Sequence, residues 1–176
     1  MALKENILQK GIELYQKVKD GTLNLKYGEY RDNGMLDFNS STMDCSMFIL
    51  KITSQVSDTL FKSLAITYPG DKYGGNTTTI KNGIMEIEGL TDLSRLGQTN
   101  PQKGDWLIWK GHVEIVKEVN ANGTFVLLGA NGAQGGSVPK LTVNQDMTKV
   151  KVFAANFLGI WSPKENNFIA EDEIKA

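Results

Sequence analysis

The chain has very few of the residues that usually build metal or redox sites. Its 176 residues include one cysteine, Cys45, and one histidine, His112. A single cysteine excludes an internal disulfide, and one Cys with one His nearly excludes a zinc site of the usual Cys/His kinds. A carboxylate-rich metal site is left open by this count. We expect neither a metal nor a cofactor.

Strong charge and long apolar runs are also missing. The 19 basic and 20 acidic residues give a formal net charge of −1, which provides no reason to expect nucleic acid as a partner. No stretch reaches the roughly 18 apolar residues of a membrane span. The polar face of the first predicted helix mixes charges of both signs, which favours packing on a core over binding a membrane surface.

The beginning of the chain lacks a basic region followed by an apolar run, so no secretory signal is visible. The protein either works in the cytoplasm, or leaves it by a route that reads no N-terminal signal, or has lost such a segment. We expect delivery to the periplasm or cell wall by a route that reads no N-terminal signal. Length and composition suit a single globular domain over residues 1–176.

Helical periodicity dominates the first half of the chain. Apolar residues from Leu3 to Val18 share one helical face and predict a helix that ends at Gly21. A second apolar series, from Phe48 to Leu60, predicts a helix over about 42–54 and a further helical piece over 56–66. Residues 22–40 fit a structured loop, and residues 77–98 fit one or two short helices.

The second half of the chain is typical of β-sheet. A turn cluster at 100–105 precedes predicted strands over 105–110, 112–119 and 124–129, and the Asn120–Gly123 turn joins the last two as a hairpin. One or two closing strands are predicted within 150–155 and 157–161, and a loose polar tail over 162–176. Helices followed by antiparallel strands predict an α+β fold, with N-terminal helices packed on a sheet of about five or six strands.

Cys45 lies where the second helical pattern begins. Unpaired backbone N–H groups and the helix dipole favour an anion in a first turn, so a thiol there is biased towards the thiolate that attacks carbonyl carbons. The alternative is a small buried hydrophobic residue, which is what most unpaired cysteines are. Taken alone, Cys45 fits the alternative better.

A thiolate nucleophile requires a base, and a third group that orients the base. His112 opens a predicted strand directly after Gly111 and is the only imidazole in the chain. Residues two apart in a strand share a face, so Glu114 can point towards the same cleft as His112, where it would bind a substrate amine or tune the imidazole. The alternatives are a structural histidine and a glutamate turned to solvent by a bulge.

Four segments in order resemble the motifs of NlpC-type cell-wall peptidases, which group with the CHAP amidohydrolases among papain-like proteins. Residues 43–48, Met-Asp-Cys-Ser-Met-Phe, resemble the Asp-Cys-Ser-Gly-Phe nucleophile motif. Residues 103–109 are similar to the Pro-Gly-Asp strand entry, and residues 111–116 to the Gly-His-Val-Gly/Ala-Ile-Val motif. Residues 26–28, Lys-Tyr-Gly, lie where the family has its Tyr-x-x-Gly segment.

The resemblance implies a papain-like fold and acyl transfer through a Cys-His-Asn site. Cys45 would be the nucleophile, His112 the base and then the acid, and Asn131 the residue that orients the imidazole. Asn131 could instead serve the glycine-rich turn that follows it. Five further residues are predicted to contact substrate: Tyr27, Asp44, Ser46, Glu114 and Trp109.

Two positions depart from the family pattern. Met47 replaces the glycine after Cys-Ser, where a larger side chain could narrow the cleft or change the helix packing. Glu114 replaces the small residue two positions after the histidine. Trp106 and Trp109 differ by three positions in one strand, so one is predicted to lie in the core and the other to line the groove.

By resemblance, the predicted substrate is a peptidoglycan stem peptide, cut within the peptide or at the muramyl–alanine amide. An antibacterial effector delivered by a secretion system, with a cognate immunity protein as partner, fits this interpretation, and so does a phage lysin. Two rival classes stay open. One is a binding or structural protein of the same fold without turnover, which Met47 favours; the other is a papain-like transferase or deamidase acting on host protein or lipid.

Overall fold

The computed structural model describes residues 2–28, 31–32, 34–93, 100–131, 137–148, 150 and 156–165. Its order of elements is α1 (Leu3–Lys19), β1 (Lys26–Tyr27), β2 (Arg31–Asp32), β3 (Met35–Leu36), β4 (Thr42–Met43), α2 (Cys45–Ser54), α3 (Asp58–Leu64), β5 (Ile66–Tyr68), β6 (Lys72–Gly74), α4 (Thr77–Glu88), β7 (Trp106–Trp109), β8 (His112–Val119), β9 (Thr124–Gly129), β10 (Lys140–Asp146) and β11 (Phe157–Trp161). The fold is α+β, as the sequence predicts. Within the described ranges, none of the helices combines the length and the apolar character that a bilayer crossing requires.

The main sheet has five antiparallel strands in the order β10-β9-β8-β7-β11. It includes the predicted hairpin of β8 and β9 and the predicted strand at 157–161. Strand β10 was not predicted. Val150 lies in a short helical segment rather than in a strand, and residues 151–155 and 166–176 lie outside the described residues.

Apolar side chains cover both faces of this sheet. One face packs on the helices through Trp106, Ile108, Val113 and Ile115, which share a core with α1 and α2. The other face forms a smaller cluster that includes Leu107 and Val116. This alternation follows from the two-residue period of a strand. It explains why consecutive residues of β7 are buried although they point in opposite directions.

Gly11 lets α1 approach the rest of the core closely. A Cβ atom at this position would lie 3.1 Å from Leu128 Cδ2 and 3.2 Å from Phe48 Cζ. The missing side chain brings α1 against α2 and β9 at the same point. The predicted helical face from Leu3 to Val18, on which Gly11 also lies, therefore packs on the core.

The start of α2 differs from the prediction. Residues 42–43, predicted to be helical, form β4 and pair in parallel with β1, with Tyr27 opposite Met43. The helix begins at Cys45 because the Asp44 side chain accepts a hydrogen bond from the backbone N–H of Met47 at 2.8 Å. Asp44 is thus the N-cap residue, and Cys45 is the first residue of the helix.

Candidate functional site

The Asp44 cap sets the position of the cysteine. Asp44 Oδ1 accepts hydrogen bonds from the Met47 N–H at 2.8 Å and from the Ser46 hydroxyl at 3.0 Å. Two donors on one carboxylate oxygen hold the first turn of α2 in a single conformation. The Cys45 side chain therefore starts from the positive end of the helix dipole, where negative charge is stabilised.

The short strand pair β1–β4 brings Tyr27 beside this turn. Gly28 donates its N–H to the Met43 carbonyl at 3.2 Å, and Tyr27 is half-buried against the core. Because Met43 precedes Cys45 by two residues, the predicted substrate contact Tyr27 lies on the strand next to the nucleophile segment. Tyr27 therefore lies close in the fold to the segment that carries Cys45, and its predicted contact with substrate stays a prediction.

The Cys45 sulfur contacts groups from two other elements. Sγ lies 3.8 Å from Thr77 Oγ1, in the first turn of α4, and 3.8 Å from the Gly111 carbonyl oxygen, in the turn between β7 and β8. Both distances are long, as expected for the weak hydrogen bonds of sulfur. Cys45 is 6% exposed. Since Gly111 directly precedes His112, the fold brings the only cysteine and the only histidine of the chain together.

His112 is perturbed by both Cys45 and Glu114. Burial alone would lower the pKa of His112, but hydrogen bonding and charge attraction from the Cys45 and Glu114 side chains outweigh it and raise that pKa from 6.5 to about 10. Glu114 Oε2 lies 3.5 Å from His112 Nε2. An imidazole with two such neighbours carries its proton at neutral pH, where it forms an ion pair with a carboxylate or a thiolate.

Glu114 is the residue that faces the imidazole. It is 5% exposed and faces His112, so of the two alternatives for Glu114 the turn to solvent is excluded. A Cβ atom on Gly129 of the neighbouring strand would lie 2.8 Å from Glu114 Cγ. Gly129 therefore leaves the space that the Glu114 side chain occupies beside β9.

The resemblance implied that Asn131 contacts the imidazole directly, but in the structure Glu114 lies between Asn131 and His112. Asn131 Nδ2 donates to Glu114 Oε1 at 3.1 Å and to Thr142 Oγ1 at 2.9 Å. Thus the described contacts of Asn131 hold the carboxylate that faces His112, rather than the ring itself. The physical reason is that Glu114, two residues after His112 on one strand face, already fills the space at Nε2.

Trp109 forms one side of the imidazole environment. Its ring centroid lies 5.4 Å from that of His112, and it packs edge-on against Phe157 at 5.6 Å. Trp109 is half-buried, whereas Trp106 is fully buried and packs edge-on against Trp161. The prediction that one tryptophan of this strand lies in the core is confirmed for Trp106, and Trp109 is the one beside the candidate site.

The two residues that follow Cys45 lie in the interior. Met47 is 0% exposed and belongs to the main core. Ser46 is 2% exposed, and its hydroxyl is engaged by Asp44. This burial gives no support to a substrate contact for Ser46. It also removes the argument that Met47 narrows the cleft.

Thr77 is the site residue that sequence reasoning missed. Its hydroxyl contacts Sγ of Cys45, and the side chain is 6% exposed. The Asn76-x-x-Thr79 spacing is a capping-box signal that could have placed the start of α4 at Thr77. No local signal could have placed that helix start against Cys45, 32 residues earlier.

The described residues contain no group of three or more His, Cys, Asp and Glu side chains that could hold a metal ion. Comparison with known proteins finds no matching protein-family model, no matching curated protein and no matching solved structure. Cys45, His112 and Glu114, which the fold brings together, form the candidate site.

Proposed function

We propose that this protein is a cysteine hydrolase that cleaves amide bonds by acyl transfer. The observation that carries the proposal is the meeting of the only thiol and the only imidazole at the first turn of a helix. Cys45 begins α2, its sulfur contacts the residue before His112, and the Cys45 side chain is one of the groups that raise the pKa of His112 to about 10. In the proposed reaction the Cys45 sulfur attacks as a thiolate beside the His112 imidazolium.

The chemistry assigns a role to each group. The Cys45 thiolate forms a bond to the amide carbonyl carbon, and the carbonyl electron pair moves to oxygen, which the backbone N–H of Cys45 can stabilise. The C–N bond then breaks as His112 gives its proton to the leaving amine. In the second half, His112 takes a proton from water, the water oxygen attacks the thioester, and the C–S bond breaks to restore the thiolate.

Glu114 takes the orienting role in this proposal. With its carboxylate at Nε2 of His112, the other ring nitrogen is the one that exchanges a proton with the sulfur. A carboxylate partner stabilises the imidazolium more strongly than a neutral amide would. Asn131 donates to the carboxylate from the far side and is itself held by the Thr142 hydroxyl, so Asn131 acts through Glu114.

The substrate class rests on the resemblance to NlpC-type peptidases alone. It is the stem peptide of peptidoglycan, with cleavage inside the peptide or at the muramyl–alanine amide. Action in the periplasm or cell wall, delivery as an antibacterial effector and a cognate immunity protein belong to the same proposal. Trp109 and Tyr27 are the half-buried residues best placed to contact the substrate beside the thiol.

The test is digestion of purified peptidoglycan followed by mass spectrometry of the released fragments. Wild type should release new amine and carboxylate termini, and Cys45→Ala and His112→Ala should release none above background. Lys62→Gln is the matched control, because Lys62 pairs with Asp58 on the exposed side of α3. This variant should cleave peptidoglycan like wild type. Cleavage that survives Cys45→Ala would overturn the mechanism.

A second measurement separates a wrong substrate from an inert thiol. Because Cys45 is the only cysteine, the rate of alkylation by iodoacetamide reports this thiol alone. Fast alkylation at about pH 6 that is lost in His112→Ala would support an activated nucleophile even without peptidoglycan cleavage. Slow alkylation in both proteins, with no cleavage, would favour a binding protein. Fragments that gain an amine instead of water would indicate a transferase.

A further inference from the structure

We infer that the Thr77 hydroxyl donates a hydrogen bond to the Cys45 thiolate and is a second device, beside His112, that holds the reacting sulfur in its charged form. This inference deepens the proposed function and rests on it for the role of Cys45. It concerns α4, an element that none of the family-like motifs includes.

The Thr77 hydroxyl is buried beside the Cys45 sulfur. Thr77 is 6% exposed, and its Oγ1 lies 3.8 Å from Cys45 Sγ, which is itself 6% exposed. A buried hydroxyl strongly favours a hydrogen-bonded arrangement, because an unpaired polar group in the interior is costly. Cys45 Sγ is the partner that the structure shows for this hydroxyl.

The protonation state of the sulfur decides which atom donates in its two contacts. A neutral thiol could donate its proton to the Gly111 carbonyl oxygen, which also lies 3.8 Å from Sγ. A thiolate has no proton to donate, and the same carbonyl oxygen then points partial negative charge at it. The Gly111 carbonyl thus favours the neutral thiol. The Thr77 hydroxyl favours the thiolate, because it can donate a hydrogen bond to the charged sulfur. The Thr77–Gly111 pair thus sets how readily the sulfur stays charged.

The two side chains in contact both come from the first turn of a helix. Cys45 is the first residue of α2 and Thr77 is the first residue of α4. The two helix N-termini therefore meet at one sulfur, and both dipoles favour negative charge there. The Asn76–Thr79 capping box fixes the start of α4, so the position of Thr77 is set by two reciprocal hydrogen bonds next to it in the chain.

The test is the pH profile of iodoacetamide alkylation, which needs no substrate. In Thr77→Val, which keeps the branched shape and removes the hydroxyl, the alkylation rate at about pH 6 should fall roughly 5- to 10-fold. At high pH, where wild type and variant thiols are both ionised, the two rates should converge. Thr77→Ser restores the donor and should stay within about twofold of wild type at every pH.

Thr77→Ala is the second hydroxyl-free variant, and thermal melting establishes that each protein compared is folded. Equal rates at pH 6 for wild type and both hydroxyl-free variants would overturn the inference. A rate in Thr77→Ser as low as that in Thr77→Val would also overturn it, because packing and not the hydroxyl would then be responsible. Neither outcome depends on peptidoglycan cleavage, so failure of the proposed substrate is recognised separately.

Discussion

Glu114 Oε2 lies 3.5 Å from His112 Nε2, and the two residues are separated by one position on the same strand. This spacing puts the acid and the imidazole on one strand face without help from any other element. The carboxylate is 5% exposed, so solvent screens the interaction weakly. Together with the Cys45 side chain, which also raises the pKa of His112, Glu114 explains why His112 holds its proton although burial opposes the charge.

Replacing Glu114 by Gln should lower the pKa of His112 from about 10 towards its ordinary value of 6.5. The variant keeps the side-chain shape but removes the negative charge that stabilises the imidazolium. Because the chain has one histidine, its imidazole proton signals in a nuclear magnetic resonance titration are uniquely assigned. Asp58→Asn, an exposed acid on α3, is the control and should leave the titration unchanged. An unaltered His112 titration in Glu114→Gln would refute this prediction.

Gly129→Ala should disturb the same carboxylate from the neighbouring strand. The new Cβ would lie 2.8 Å from Glu114 Cγ and 3.3 Å from Oε1, which is too close for both side chains to stay in place. We expect a lower His112 pKa and a loss of about 1–3 kcal/mol in the free energy of unfolding by urea.

A double-mutant cycle provides the control for Gly129. In the Glu114→Ala background the Cγ atom is gone, so adding Gly129→Ala should cost clearly less than it does in wild type. Equal costs in both backgrounds would show that the Glu114 side chain is not what the new methyl group meets.

The His112 pKa predicts how stability depends on pH. A folded-state pKa of about 10 lies above the ordinary value of 6.5, so protonated His112 stabilises the folded protein fully below about pH 6.5, and this contribution is lost as pH rises towards 10. The difference in free energy of unfolding between wild type and His112→Gln should therefore shrink from pH 6 to pH 10. Urea unfolding at several pH values measures it. A difference that grows with pH would contradict the direction of the shift.

Placing glycine at position 47, as in the NlpC-type motif that this segment resembles, should lower the free energy of unfolding of this protein. Met47 is 0% exposed in the main core, so Met47→Gly leaves a cavity and adds glycine to the first turn of α2. We expect a loss of about 3–5 kcal/mol in urea unfolding. Met47→Leu, which conserves volume, should cost less than about 1.5 kcal/mol. A loss below 1 kcal/mol in Met47→Gly, by the same measurement, would place the side chain outside the core.

Local patterns predicted the elements whose stability is itself local. The apolar stripe from Leu3 predicted α1, and the Asn120–Gly123 turn predicted the hairpin of β8 and β9, because side-chain period and turn chemistry depend on neighbouring residues. Strand β10 was not predicted, because its half-buried and exposed residues do not alternate along the strand. Pairing with β9 makes this segment a strand. Residues 42–43 became a strand for the same reason, through pairing with β1.

The sequence by itself determined which reactive groups exist: one thiol near a predicted helix start, one imidazole at a predicted strand start, and a carboxylate two residues after that imidazole. Only the tertiary structure decided that Sγ of Cys45 meets Thr77 and the Gly111 turn, and that Asn131 supports Glu114 instead of touching His112. The physical reason is how far apart in the chain the contacting residues are. Helix caps and strand faces follow from residues a few positions apart, whereas the contacts of Cys45 join segments 32 and 66 residues away, which packing of the whole core brings together.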